Sequence, residues 1–113
     1  MKRLSLALAL TLVTGFAHAT CIKSKASYYK RCFGTCATAN GEQFNKHALT
    51  AAHKDLPFGT KVSVTNLHNN KSVTVRINDR GPFVKGRDLD LSYGSMKRIK
   101  GIKRGVVQVK YCY

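Results

Sequence analysis

The sequence predicts a small, mainly β barrel with one short helix. Three observations point there. Several short stretches alternate apolar and polar residues, the pattern of strands with one buried face. A single stretch carries helix-start chemistry. Behind an N-terminal leader only 94 residues remain, enough for one core and not for two.

The elements follow in chain order. Residues 1–19 read as a secretory signal: Lys2 and Arg3 open it, the apolar Leu4 to Phe16 run is too short to span a bilayer, and Ala17-His18-Ala19 is a cleavage site. A lipid-anchored form would use Cys21, but Thr20 stands where a lipobox wants a small residue. The domain is therefore expected to run from Thr20 to Tyr113. "ALTAAH" (Ala48 to His53) is an apolar run leading into the Pro/Gly turn "LPFGT". "KVSVTNL" (Lys61 to Leu67) and "KSVTVRI" (Lys71 to Ile77), joined by "HNN", form a hairpin, with His68 solvated at its tip. "RDLDLS" places Leu89 and Leu91 on one face of a further strand. Ser92 caps a helix to about Ile99, ended by Gly101, and "VVQVKYCY" supplies a last strand through Val107, Val109 and Tyr111.

Cysteine count and charge narrow the setting. Cys21, Cys32, Cys36 and Cys112 are an even set in an exported chain, which favours two disulfides over a redox pair. Three pairings are open. The preferred one joins Cys21 to Cys112, pinning the chain ends, and Cys32 to Cys36 across a short loop. The histidines do not supply the further ligands at metal spacing that a zinc site needs, so neither metal nor cofactor is expected. Loss of the leader removes Lys2 and Arg3, leaving 18 basic against 5 acidic side chains, a net +13. Such a surface suits polyanions. Export directs it to anionic envelope polymers, and no base-reading motif argues for nucleic acid.

With only Glu42, Asp55, Asp79, Asp88 and Asp90 as acids, each can be weighed singly. Glu42 follows the Asn40-Gly41 turn and by itself reads more readily as a loop acid than as a functional one. His53 alone reads as a satisfied histidine. Asp79 ends the second hairpin strand beside Arg80, before Gly81-Pro82 stops it, and by itself the pair reads first as a plain turn salt bridge. Asp90 lies two residues before Ser92, where it would support the helix start through the dipole.

Read together, "ASYY", "TANGEQFNKHALTAAHKDLPFGTKVSVTNL" and "KSVTVRINDRGPFVKGRDLDLS" resemble the double-psi β-barrel domain of the rare lipoprotein A family of bacterial lytic transglycosylases, over Ala26 to Val109. The resemblance implies a six-stranded barrel with an open groove that cleaves peptidoglycan glycan strands, preferably ones stripped of stem peptides. By position it puts the active-site acid on Glu42, the histidine on His53, the "NDRG" aspartate on Asp79, and on Asp90 the acid that related barrels use. Asn45 stands where some relatives have Asp, leaving only hydrogen bonding there. Arg80 and Asn45 join Asp90 as expected substrate contacts. The sequence as read carries no counterpart of the family's sporulation-related repeat, so the basic charge is expected to hold the protein near the wall.

The chemistry so implied is cleavage of the β-1,4 bond between N-acetylmuramic acid and N-acetylglucosamine to a 1,6-anhydro end, by a monomer in the periplasm or outside the cell. One carboxylic acid protonates the leaving oxygen and, once ionised, takes the proton of the muramic hydroxymethyl as it closes on the anomeric carbon. Glu42 is the preferred acid/base, with Asp79 or Asp90 facing the developing positive charge and His53 orienting the acid or the sugar. The alternative is an expansin-like module that holds glycan in the same groove without cutting it.

Overall fold

The computed structural model describes residues 20–29 and 36–113. Residues 1–19, where a secretory leader is expected, and Cys32 lie outside the described residues.

Six strands, β1 (Cys21–Tyr29), β2 (Thr50–Ala52), β3 (Lys61–Asn66), β4 (Ser72–Asp79), β5 (Arg87–Ser92) and β6 (Val107–Cys112), and one helix, α1 (Tyr93–Arg98), make up the fold. The strands close into a barrel in the order β1-β5-β2-β4-β3-β6. Two of the pairings are parallel, β1 with β5 and β2 with β4. The others are antiparallel.

Alternation builds the wall. On β3 and β4 the buried Val62 and Val64 face Val75 and Val73 across the ladder, while Lys61, Ser72 and Thr74 point to solvent. Leu89 and Leu91 on β5, Val107, Val109 and Tyr111 on β6, Ala26 and Ala51 complete an interior cluster that Met96 and Ile99 join. Ser92 caps α1 as its sequence predicts, its hydroxyl accepting the Ser95 N–H at 3.1 Å. Residue patterning read β2 only as an apolar run before a turn and did not place β1 at all. The nine residues of β1 include Lys23, Ser24 and Lys25, and their only deeply buried side chains are Ala26 and Ser27, so no apolar alternation marks it.

One disulfide is described, Cys21–Cys112. It joins directly paired residues of β1 and β6, at the seam where the first and last strands meet. The expected partner bridge, Cys32–Cys36, falls on Cys32 outside the described residues, and among those described no cysteine is free.

Candidate active site

With Leu89 and Leu91 turned into the barrel, Asp90 between them must face outward. Its neighbours in the wall define what surrounds it. Ala52 on β2 pairs with Asp90 on one side and with Asp79 on the other. The two aspartates thus flank one small methyl-bearing residue, two inter-strand steps or about 9.5 Å apart. Ser27 pairs with Asp90 from β1 and donates its hydroxyl to Asp90 Oδ1 at 2.8 Å. Tyr29, two residues on, stacks against Phe44 with ring centroids 5.2 Å apart. Its hydroxyl is buried with no hydrogen-bond partner among the described residues.

Asp79 is fixed from its backbone side. Its Oδ1 accepts the N–H of Ala39 at 3.0 Å and that of Arg80 at 2.9 Å. The Ala39 bond ties the turn before Glu42 to the end of β4, and Asn40 N–H to Asn78 O at 3.2 Å strengthens the tie. Glu42 is delivered by that turn onto the outward residues of β4. Arg76 grips it through two N–H bonds, Nη2 to Oε1 at 3.0 Å and Nη1 to Oε2. Asn78 Nδ2 adds a bond to Oε1 at 3.1 Å and Asn40 Nδ2 one to Oε2 at 2.8 Å. The pair remains open to solvent, the Arg76 and Glu42 side chains being 39% and 36% exposed.

The three acids are electrostatically unlike. The Arg76 guanidinium, with the Asn40 and Asn78 amides, holds Glu42 down at about 2, so it stands as a carboxylate at any ordinary pH. Asp90 is raised above the ordinary aspartate value. Burial is the larger cause and the Asp79 charge adds to it, against the Ser27 hydroxyl and Arg87, which lower it. Burial and the same two aspartates push the Tyr29 phenol up, so it stays protonated.

The other expected residues go elsewhere. Asn45 is exposed, and its Oδ1 accepts the His47 N–H at 2.9 Å, a local turn bond. Arg80 makes no side-chain pair with Asp79. Its Nη1 donates to the carbonyls of His53 (3.1 Å) and Leu56 (2.9 Å), and its guanidinium lies 3.9 Å above the Phe58 ring. Among the described residues the ion pair within 4 Å is Arg76–Glu42. His53 is buried, its ring bonded to Tyr111 and to the Asp55 and Leu56 N–H groups, beside a cleft of about 330 Å³ that Asp88 and Tyr113 also line. Burial lowers its pKa, against Asp88 and Asp55, which raise it, while Arg80 and Lys54 add to the lowering. No group of three His, Cys, Asp or Glu among the described residues is placed to hold a metal ion.

Sequence reasoning missed Arg76, Asn78, Asn40, Ser27 and Tyr29. The first two had a legible signal. If Val73, Val75 and Ile77 face the core, Arg76 and Asn78 must face outward beside Glu42's turn.

Comparison with known proteins agrees with this architecture. An expansin from Clavibacter michiganensis matches with a TM-score of 0.66 at 18% identity, over 83% of this chain and 50% of that one. A Streptomyces papain inhibitor matches with a TM-score of 0.67 at 18% identity, over 87% and 97%. At such identities the likeness is one of fold. Sequence relatives are nearer. "Probable endolytic peptidoglycan transglycosylase RlpA" of Synechocystis sp. is 58% identical over 84 residues, 74% of this chain and 26% of that protein. "Endolytic peptidoglycan transglycosylase RlpA" of Campylobacter jejuni is 53% identical over 85 residues, 75% and 31%. The chain thus spans about a third or less of the length of these curated relatives. The lytic transglycolase profile matches residues 22–111, nearly the whole of the described barrel, and by that match the chain belongs to the lytic transglycolase (double-psi β-barrel) family.

Proposed function

We propose that this protein is an endolytic peptidoglycan lytic transglycosylase, cutting the N-acetylmuramic acid to N-acetylglucosamine bond and leaving a 1,6-anhydro end. One observation carries the reading. A partly buried carboxyl with raised proton affinity, Asp90, sits across Ala52 from a second aspartate on the outer wall of the barrel. A lytic transglycosylase needs a group that carries a proton and later accepts one. We assign both steps to Asp90. It gives its proton to the glycosidic oxygen as the bond to the anomeric carbon breaks. It then takes the proton of the C6 hydroxyl as that oxygen closes on the same carbon, so no water is consumed. Asp79, its orientation set by two backbone N–H groups, supplies negative charge to the oxocarbenium-like centre. Glu42 and Arg76 border the groove.

A second reading keeps Glu42 as the acid, and the exposure of its pair favours it. Arg76 is open enough for a carboxylate on the glycan to draw it away, which would return Glu42 toward the ordinary range.

The protein is expected to work as a monomer outside the cytoplasm, drawn by its basic surface to anionic envelope polymers, with Cys32–Cys36 as a second bridge in that oxidising setting. Mass spectrometry of purified sacculi digested with the protein tests the function. Anhydro-muropeptides are the expected product. Pelleting with sacculi without products would replace this reading by the glycan-binding one.

A further inference from the structure

We propose that His53 is a positioning residue, whose ring caps the turn that holds Arg80 and Asp79 in place and is itself fixed by Tyr111 and Asp88. The inference rests on reading the Asp79–Asp90 face as the reaction site.

The ring's hydrogen bonds determine its state. Nδ1 accepts the N–H groups of Asp55 at 3.0 Å and Leu56 at 3.1 Å, two and three residues ahead, the pattern by which an Asn or Asp side chain closes a turn on its own backbone. A nitrogen accepting two such bonds carries no proton, so the neutral ring carries its proton on Nε2. Nε2 lies 3.3 Å from Tyr111 Oη, which spends its own proton on Asp88 Oδ2 at 2.6 Å and so offers His53 a lone pair. Both ring nitrogens are engaged within the protein, and the residue is 8% exposed.

The turn reaches the site through Arg80. It presents the His53 and Leu56 carbonyls to Arg80 Nη1. The His53 N–H donates to the Asp79 carbonyl at 3.2 Å, and the Arg80 N–H bonds the Asp79 carboxylate. Loosening the turn frees both residues that border that carboxylate. The charged and titratable groups facing the ring are Asp88 of β5, Tyr111 of β6, Lys54 and Asp55 of the turn, and Arg80 beyond β4. Protonation of Nδ1 would remove both turn bonds at once.

The test uses His53→Ala, His53→Asn, His53→Gln and Tyr111→Phe in the whole protein. Asn reproduces the Nδ1 acceptor, while Gln reproduces only the far end of the ring. Turnover on sacculi is expected to fall about 100-fold in His53→Ala with KM little changed, because a displaced carboxylate is a rate defect. His53→Asn is expected to stay within about tenfold of the unaltered protein, as does Tyr111→Phe, and to lose less activity toward acid pH, since it has no ring to protonate. His53→Gln should resemble His53→Ala. Overturning results are His53→Asn as inactive as His53→Ala at the same melting temperature, or His53→Gln fully active. Should the unaltered protein release no product, the transglycosylase reading fails separately. Hydrogen exchange at the Asp55 and Leu56 amides then decides the positioning role. Protection is expected to be lost in His53→Ala and kept in His53→Asn, and protection kept in both would overturn it.

Discussion

Asp90 and Glu42 show how one face can hold two carboxyls whose proton affinities are pushed in opposite directions. Desolvation raises the first and a guanidinium pair lowers the second, so a substitution at each tells a different story. Asp90→Asn is expected to abolish anhydro product, a loss of at least about 100-fold, while sacculus binding persists. Glu42→Gln is expected to lose about tenfold through the turn it anchors. The reverse ranking, measured by mass spectrometry of digests, would give the acid role to Glu42. Stability follows the same division. The folded Glu42 is depressed from 4.5 to about 2, so its contribution is present above 4.5 and lost as pH falls toward 2. Asp90 is raised, so its contribution is present below the ordinary aspartate value and lost as pH rises through its folded value. Melting curves should therefore show Glu42→Gln less acid-sensitive below pH 4.5 and Asp90→Asn more stable than the unaltered protein at neutral pH. The three acids and the histidine of the motifs were legible as residues. Their states were not, because these depend on Arg76, Asn78 and Ser27, brought in from distant strands.

At the scale of elements, patterning succeeded where one face is apolar and failed where it is not. The hairpin of β3 and β4, the β5 and β6 strands and the Ser92 cap all carry their alternation or capping chemistry locally. β1 is hydrogen-bonded on both edges, to β5 and β6, yet it exposes lysines along its first half, so its place in the wall is set by partners more than 60 positions away. The join between α1 and the residues before β2 is another tertiary feature. Gly94 donates its N–H to Lys46 O at 2.8 Å, and a Cβ built there would stand 2.6 Å from His47 O, a backbone atom that no rotamer change can move. Gly94→Ala is expected to destabilise by about 1–3 kcal/mol despite its better helix propensity. Thermal melting checks this, with a fall of about 4–8 °C expected for each kcal/mol in a domain of this size.

The whole molecule is a closed ring of strands whose first and last members meet, and the Cys21–Cys112 bridge lies at that seam. Linking residues 91 positions apart stabilises by about 4.6 kcal/mol in the chain-entropy model, so reduction should lower the melting temperature without displacing Asp79 and Asp90, which lie across β4, β2 and β5. The pairings that bring Asp79 and Asp90 to one level, β2 with β4 in parallel and β2 with β5 antiparallel, could not be read from local pattern, since a sequence of hairpins fits alternation equally well. Charge acts at the same scale. The full sequence carries 20 basic and 5 acidic residues, and four of those five acids, Glu42, Asp79, Asp88 and Asp90, accept hydrogen bonds on the outer wall or beside His53. The proposed attraction to an anionic wall would therefore be carried by lysines and arginines over the remaining surface, and it would weaken as the screening length shrinks from about 10 Å at 0.1 M salt to about 3 Å at 1 M. Groove contacts, made at hydrogen-bond distance, are screened far less. Sacculus pelleting across that range is expected to fall steeply for the unaltered protein and for Asp90→Asn alike, because the substitution leaves the basic surface in place. Binding that held constant with salt, and fell in Asp90→Asn, would move the source of affinity from the charged surface to the groove.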